Sequence, residues 1–321
     1  MIASRPRSPA AAPRCLLGDD RADGLARVAF GAARAGADCV VPERRLGGRP
    51  PIETWTAGRA ARPARLGAFA ARDDGANVFA WAEAEAGRAD ALEEAARELY
   101  RAALGALAAD GRSPLRFWNY VPRINEDEDG VERYKRFCRG RSLAFEDAFG
   151  AAFPARLPAA SAVGADGTRL VVCFLASRLP AEHFENPRQV SAYDYPARYG
   201  PRSPSFARAT AAGDAVFVSG TASVVGHESR HAEDAGAQLQ ETLRNLEALL
   251  ARVDPAAPGE DPLRRFETLR VYVRRAADAP RVEDALAARL GAGVPTLLLR
   301  ADICRAELLL EIEGTARRPR R

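Results

Sequence analysis

The stretch Phe206-Ala-Arg-Ala-Thr-Ala-Ala-Gly-Asp-Ala-Val-Phe-Val-Ser-Gly220 has an echo earlier in the chain, Phe69-Ala-Ala-Arg-Asp-Asp-Gly-Ala-Asn-Val-Phe-Ala-Trp81. Each reads as a turn carrying Gly with Asp or Asn, followed by a short apolar strand. The match extends outward. After the earlier copy, Leu92, Ala95, Ala96, Leu99, Ala103 and Leu107 fall on one face of a helix; after the later copy, Leu239, Leu243, Leu246, Leu250 and Val253 do the same. Each helix leads to an apolar strand, Phe117–Val121 or Leu269–Val273, and then to a second helix, about 132–149 or 281–290. A strand start marked by Pro154 or Pro295 follows, and Leu170–Ala176 or Glu307–Gly314 closes the unit as a strand.

Two copies of β-α-β-α-β-β define the fold class as α+β built from repeated units. The expected organisation is a central unit over 66–185 and a C-terminal unit over 186–321. Residues 1–65, with a loop at Arg45–Pro51 and a boundary at Pro63, form either a reduced third unit or an N-terminal extension.

Composition narrows the function classes. The 321 residues are 47% hydrophobic and 28% charged, which suits a packed globule. No apolar run reaches the roughly 18 residues of a membrane span, and Met1–Arg14 lacks the apolar centre of an export signal. A cytoplasmic protein is expected, with no membrane partner. The five cysteines, Cys15, Cys39, Cys138, Cys173 and Cys304, are scattered without a C-x-x-C pair, which fits a reducing compartment. A net charge of +4 implies mild attraction to anions, carried almost wholly by arginine, since Lys135 is the one lysine. The Arg317–Arg321 tail has no interleaved aromatic residues and reads as a solvated end, not a nucleic-acid contact.

Tyr199-Gly-Pro-Arg202, Gly213–Gly220, the Gln238–Leu250 helix and the ending Leu310-Glu-Ile-Glu-Gly314 resemble the RidA/YjgF family over about 190–317. Phe153-Pro-Ala-Arg156 carries a fainter likeness in the first unit. Four longer motifs resemble the FkbO-like chorismatases: Arg116–Asn125 (RFWNYVPRIN), Glu132–Arg141 (ERYKRFCRGR), Ala192–Phe206 (AYDYPARYGPRSPSF) and Ser219–Glu228 (SGTASVVGHE). That resemblance implies three RidA-like units in one chain, an intramolecular pseudo-trimer active as a monomer. It also implies a site between the central and C-terminal units, chorismate as the substrate, and no cofactor or metal.

Chorismate is a dianion with an enol ether, so releasing pyruvate from it needs a protonated acid for the methylene carbon and cations for two carboxylates. Alternation puts Glu307, Leu309, Glu311 and Glu313 on one face of the last strand. Two carboxylates at i, i+2 raise the pKa of at least one when desolvated, although the pattern by itself describes a wet acidic face first. The resemblance assigns the proton donor to Glu311, with Glu313 as the neighbour that tunes it. It also matches Cys304 to a cysteine lining the site in the branch that forms 3-hydroxybenzoate. Gly220, Thr221 and Ala222 lie beside that site by the same reading. Ala222 stands where that branch leads one to expect glycine, which leaves 4-hydroxybenzoate or the dihydrodiol open as products.

Arg156 matches the carboxylate-binding arginine of RidA proteins, and Leu297 occupies the corresponding place in the second unit. Arg202 stands in place of a tyrosine. Arg136 and Arg141 could hold substrate or form a solvated helix face; Tyr134 and Tyr199 could donate hydroxyl hydrogen bonds or pack. The rival readings are a RidA-type imine deaminase and a non-catalytic ligand-binding module. His227-Glu-Ser-Arg-His231 satisfies H-E-x-x-H, with Glu247 as a conceivable third ligand, but a zinc site of that kind needs a helix. Gly226 and Gly236 flank the segment and place it in a loop or an opening turn. His183 has no partner in the sequence and reads as structural.

Overall fold

The computed structural model describes residues 11–17, 24–31, 36–48, 52–255, 257, 259–291 and 293–318. Its strands are β1 (Arg14–Leu17), β2 (Ala26–Phe30), β3 (Cys39–Val41), β4 (Arg44–Gly48), β5 (Ile52–Thr56), β6 (Arg62–Leu66), β7 (Phe69–Asp73), β8 (Asn77–Glu85), β9 (Ser113–Pro122), β10 (Asp127–Glu128), β11 (Val131–Glu132), β12 (Ala159–Ala165), β13 (Arg169–Ser177), β14 (Glu182–Phe184), β15 (Ala209–Ala212), β16 (Ala215–Thr221), β17 (Val224–Val225), β18 (Glu228–Ser229), β19 (Phe266–Val273), β20 (Thr296–Arg300) and β21 (Leu310–Arg317). The helices are α1 (Ala89–Asp110), α2 (Arg133–Phe149), α3 (Ala235–Val253) and α4 (Ala279–Leu290).

The two turns of the repeat form where they are expected. Gly213, at φ 59°, and Asp214 link β15 to β16. In the earlier copy the Asp74 carboxylate accepts from the Ala76 and Asn77 amides, bending the chain between β7 and β8. α1 ends where Gly111 adopts the left-handed conformation and its N–H reaches the Leu107 carbonyl. α3 begins where the Asp234 carboxylate accepts from the Ala237 amide.

The two large sheets have the same strand order. The central one runs β6-β7-β8-β13-β9-β12 and the C-terminal one β14-β15-β16-β21-β19-β20, each with a parallel pair (β9/β12, β19/β20) at one end. The small N-terminal sheet, β1-β5-β2-β3, repeats the four strands at that end, β8-β13-β9-β12 and β16-β21-β19-β20, in the same chain order with its own parallel pair, β2/β3. β4 leaves it and pairs with β20, extending the C-terminal sheet. The sheets begin slightly before the expected unit boundaries: β6 already belongs to the central sheet and β14 to the C-terminal one.

Side-chain alternation divides each large sheet between two cores. On β9, Phe117 and Val121 face α1 and α2, while Trp118 and Tyr120 face inward to a core shared by all three sheets. On β16, Val216 and Val218 join α3 and α4, and Phe217 joins the shared core. The N-terminal sheet adds Trp55, whose ring lies 5.3 Å from Trp118 and 6.3 Å from Phe217. On β21, Leu310 and Ile312 pack under the helices, so Glu311 and Glu313 turn toward the shared side.

Four expectations change. Arg45–Gly48, expected in a loop, lies in β4, because its backbone pairs with β20. Pro154 lies in a 3-10 turn over Gly150–Arg156, and the strand begins only after Pro158, at Ala159. The closing strand starts at Leu310; Glu307 lies in an exposed turn and does not share its face. H-E-x-x-H is a two-strand hairpin, β17/β18, and α3 begins only at Ala235.

No helix among the described residues is long and apolar enough to cross a membrane. Met1–Ala10 and Pro319–Arg321, on which the export and tail readings partly rest, lie outside the described residues. Arg317 and Arg318 pair with Glu267 and Glu182.

Candidate active site

β12 is the open edge of the central sheet, and it meets the start of the C-terminal sheet through side chains. The Ala159 amide donates to the Thr210 hydroxyl at 2.8 Å, and the Ala160 amide to the Ser219 hydroxyl at 2.9 Å. The Gly220 amide donates to the Ser161 hydroxyl at 3.0 Å. Above this seam a cleft opens, about 840 Å³ including its mouth. α2 supplies Tyr134, Cys138 and Arg141 to its walls, the segment before β15 supplies Tyr195, Tyr199 and Arg208, and the loop before β21 supplies Cys304 and Arg305.

Glu311 forms part of the floor. Its residue is 4% exposed, and Oε1 is buried without a hydrogen-bond partner. Burial, and then the charge of Glu313, push its pKa up to about 8, against the opposing pull of Arg116 and Arg208. A Cβ on Gly220 would overlap the Glu311 carboxyl, so glycine is required for β16 to approach this closely. Glu313, two residues on, is enclosed differently. It accepts from Arg116 at 2.6 Å, from the Trp118 indole at 2.9 Å and from the Ser161 hydroxyl, and it pairs with Arg270 at 2.8 Å. One carboxyl is saturated and the other faces the cleft unpartnered.

Three guanidiniums reach the cleft. Arg141, 3% exposed, stacks over Tyr100 and Phe145, and its Nε and one terminal nitrogen are buried without a partner. Arg208 donates to the Tyr195 hydroxyl at 2.8 Å and keeps a buried, unpartnered Nε. Arg305 lies 4.2 Å from the Tyr199 ring centroid and donates to the His227 carbonyl at 2.9 Å. Unpartnered buried donors in a concave site fit an anionic ligand that completes them.

Of the residues singled out from the sequence, Glu311, Cys304, Tyr199, Tyr134, Gly220, Ala222 and Arg141 line this cleft. Burial raises the thiol pKa of Cys304, and Glu311 adds to the rise. The Tyr199 hydroxyl donates to the His227 carbonyl at 2.6 Å. Thr221 is one residue removed, its hydroxyl on the Ser219 carbonyl. Three arginines do not line the cleft. Arg156 is exposed over the Phe149 ring, because the 3-10 turn carrying it precedes the edge strand. Arg202 pairs with Glu146 at 2.7 Å, and Arg136 donates to the Glu128 carbonyl. Leu297 is buried in the shared core.

Sequence reading overlooked Arg208, Arg305 and Ser161, and it quoted Arg116 without a role. Arg208 lies inside the very repeat that reveals the fold, where its role as an element marker masks any other.

The H-E-x-x-H side chains diverge. His227 meets Arg198 at 2.9 Å, His231 approaches Glu241 at 3.5 Å, and Glu247 lies near Arg289. His183 contacts the Thr210 hydroxyl, and burial brings its pKa down to about 4.

A family model described as chorismatase FkbO/Hyg5-like, N-terminal, matches residues 53–176. A 3-hydroxybenzoate synthase of Streptomyces hygroscopicus is 40% identical over 241 residues, 69% of this chain and 68% of its own. The chain belongs to the chorismatase family. A chorismatase of Streptomyces rapamycinicus is 42% identical over 217 residues, 63% of each chain. A crystal structure of a chorismatase superposes with a TM-score of 0.84 at 31% identity, covering 96% of this chain and 99% of that one. The mixed α/β architecture above is therefore a chorismatase fold along nearly its whole length.

Proposed function

We propose that this chain converts chorismate to 3-hydroxybenzoate and pyruvate, with Glu311 as the general acid. The observation that carries the proposal is the Glu311 carboxyl, buried and unpartnered on the floor of a cleft ringed by guanidiniums. At neutral pH a carboxyl with a pKa of about 8 is mostly protonated. It can therefore give a proton to the enol-ether methylene and become the carboxylate beside the cation so formed. Arg141, Arg208 and Arg305 supply positive charge for the two substrate carboxylates. Chorismate has the same composition as the two products together, so no net water, oxidant or reductant enters. The dihydrodiol would need one net water, so product identity turns on how water meets the intermediate. Cys304 controls that in this reading, supported by its lining the same cleft as Glu311. The three units in one chain take the place of three subunits, with one cleft between the central and C-terminal units retained for this chemistry.

Glu311→Gln tests the assignment. The amide keeps the shape and loses the acid, so chorismate should bind while pyruvate release falls by about a hundredfold to ten-thousandfold. Near-normal release would remove Glu311 from the mechanism.

A further inference from the structure

Behind Glu311, away from the cleft, lies a buried charge network drawn from all three sheets. Glu53 on β5 grips Arg270 on β19 with both oxygens, Nε to Oε1 at 2.9 Å and a second, shorter bond to Oε2. Arg270 then reaches Glu313 at 2.8 Å, and it donates to the Tyr120 hydroxyl at 2.9 Å and the Tyr272 hydroxyl at 3.0 Å. Arg116 from β9 closes the other side of Glu313 at 2.6 Å. Each of the four charged side chains is no more than 5% exposed. Glu43, buried near Arg270 and Glu313, is pushed toward its neutral form by burial, so the two anions and two cations of the network balance.

The proton on Glu311 responds to whatever charge stands next to it. Glu313 shares its strand and Arg116 faces it from β9. Tyr272 is opposite in register on β19, and Arg208 comes from the segment before β15. Cys304 and Arg305 in the loop before β21, Tyr195 and Tyr199 before β15, Glu132 at the end of β11, and Tyr134, Lys135, Cys138 and Arg141 on α2 share its cleft. Of these, Glu313 is the one anion on the same strand face. What Glu313 does depends on Arg270, and Arg270 is held by Glu53.

We propose that Glu53, contributed by the N-terminal sheet, is a positioning residue for the reaction: by holding Arg270 and balancing its charge it keeps the buried network behind Glu311 neutral, so that Glu311 carries its proton toward the cleft. The proposal rests on the reading of Glu311 as the acid, and it gives the N-terminal sheet a part in chemistry it does not touch.

The test is the pH dependence of pyruvate release from chorismate by the full-length enzyme. Glu53→Gln leaves a cation in excess beside Glu313, which favours the Glu311 carboxylate. The alkaline limb of kcat/KM should move down by about one pH unit while KM at low pH changes little. Removing both charges, Glu53→Gln with Arg270→Met, restores the balance and should return the limb toward its original place. Glu53→Asp withdraws the charge by one methylene and should move the limb in the same direction by less; it carries the test if the Gln variant does not fold. An activity lowered equally at every pH, with the limb unmoved in all three variants, would overturn the proposal and leave Glu53 a purely structural ion pair. Infrared titration of the Glu311 carboxyl, identified by its loss in Glu311→Gln, separates the two claims. A carboxyl titration that moves while the activity profile stays put overturns the acid reading and leaves the coupling standing. One that does not move overturns the coupling itself.

Discussion

Glu311 and Glu313 show how two identical side chains, two residues apart, receive opposite treatment. Glu313 is surrounded by donors, whereas Glu311 has burial and a like charge for company. The sign of the pH effect follows. The folded chain keeps Glu311 protonated up to about 8, while an unfolded chain ionises it from about 4.5. Between those values the unfolded state binds fewer protons, so this group's contribution to stability is fully present at low pH and is lost as pH rises through about 8. Glu311→Gln has no such dependence. Its melting temperature, relative to wild type, should climb between pH 5 and pH 8 and level off above that, as thermal unfolding across the range would record. Activity runs in parallel: pyruvate release by the wild type should fall as pH passes about 8. At Cys304, proton delivery is another residue's task, so Cys304→Ala should retain most pyruvate release. The products should shift from 3-hydroxybenzoate toward the dihydrodiol or 4-hydroxybenzoate, resolved by chromatography. An unchanged ratio would return the thiol to ordinary packing.

At the scale of elements, β16 and the hairpin after it bear on function in contrasting ways. Gly220→Ala would push a methyl into the Glu311 carboxyl and to 3.0 Å from the Ser161 hydroxyl. Overpacking of this kind costs about 1–3 kcal/mol, so we expect a fall in activity of tenfold or more with the circular dichroism spectrum retained. The β17/β18 hairpin should tolerate change: His227→Ala with His231→Ala, assayed after extensive chelation, should keep activity largely intact. Activity lost and then restored by zinc would reinstate a metal reading. The helices were legible because one face of each must be apolar to cover a sheet; Leu92, Leu99 and Leu107 announce α1 at any distance. The Glu311 and Glu313 pairing was legible for a similar reason, since alternation survives folding. Other features had no local signal. Nothing in Phe153-Pro-Ala-Arg156 says that the chain makes a 3-10 turn there and leaves Arg156 outside. Glu307 obeys the same alternation as Glu311, yet a turn removes it from the strand. Arg141, Arg208 and Arg305 converge from three elements distant in sequence, and only the closed fold brings them together.

For the whole molecule, the shared core is the structural commitment. Trp55 from the small sheet packs against Phe79, Trp118 and Phe217, bringing residues of all three sheets together. Trp55→Ala should destabilise the chain by about 3–5 kcal/mol. Calorimetry should show a single transition at lower temperature, because the buried apolar side chains of the small sheet that are larger than alanine all lie in the shared core. Two separate transitions would mean that the small sheet is an independent appendage.

β4 carries a further consequence, for biosynthesis. It leaves the ribosome well before its partner β20. Glu53 likewise waits for Arg270, 217 residues later. The central sheet, whose strands and helices are contiguous in sequence, can close while translation continues at about 5–20 residues per second. β4 cannot, and for many seconds it is a growing chain's unsatisfied edge. Nascent protein should therefore hold β4 and the Glu53 carboxyl open to proteases and chaperones until β19 and β20 emerge, and β21, which follows them, brings in the acid.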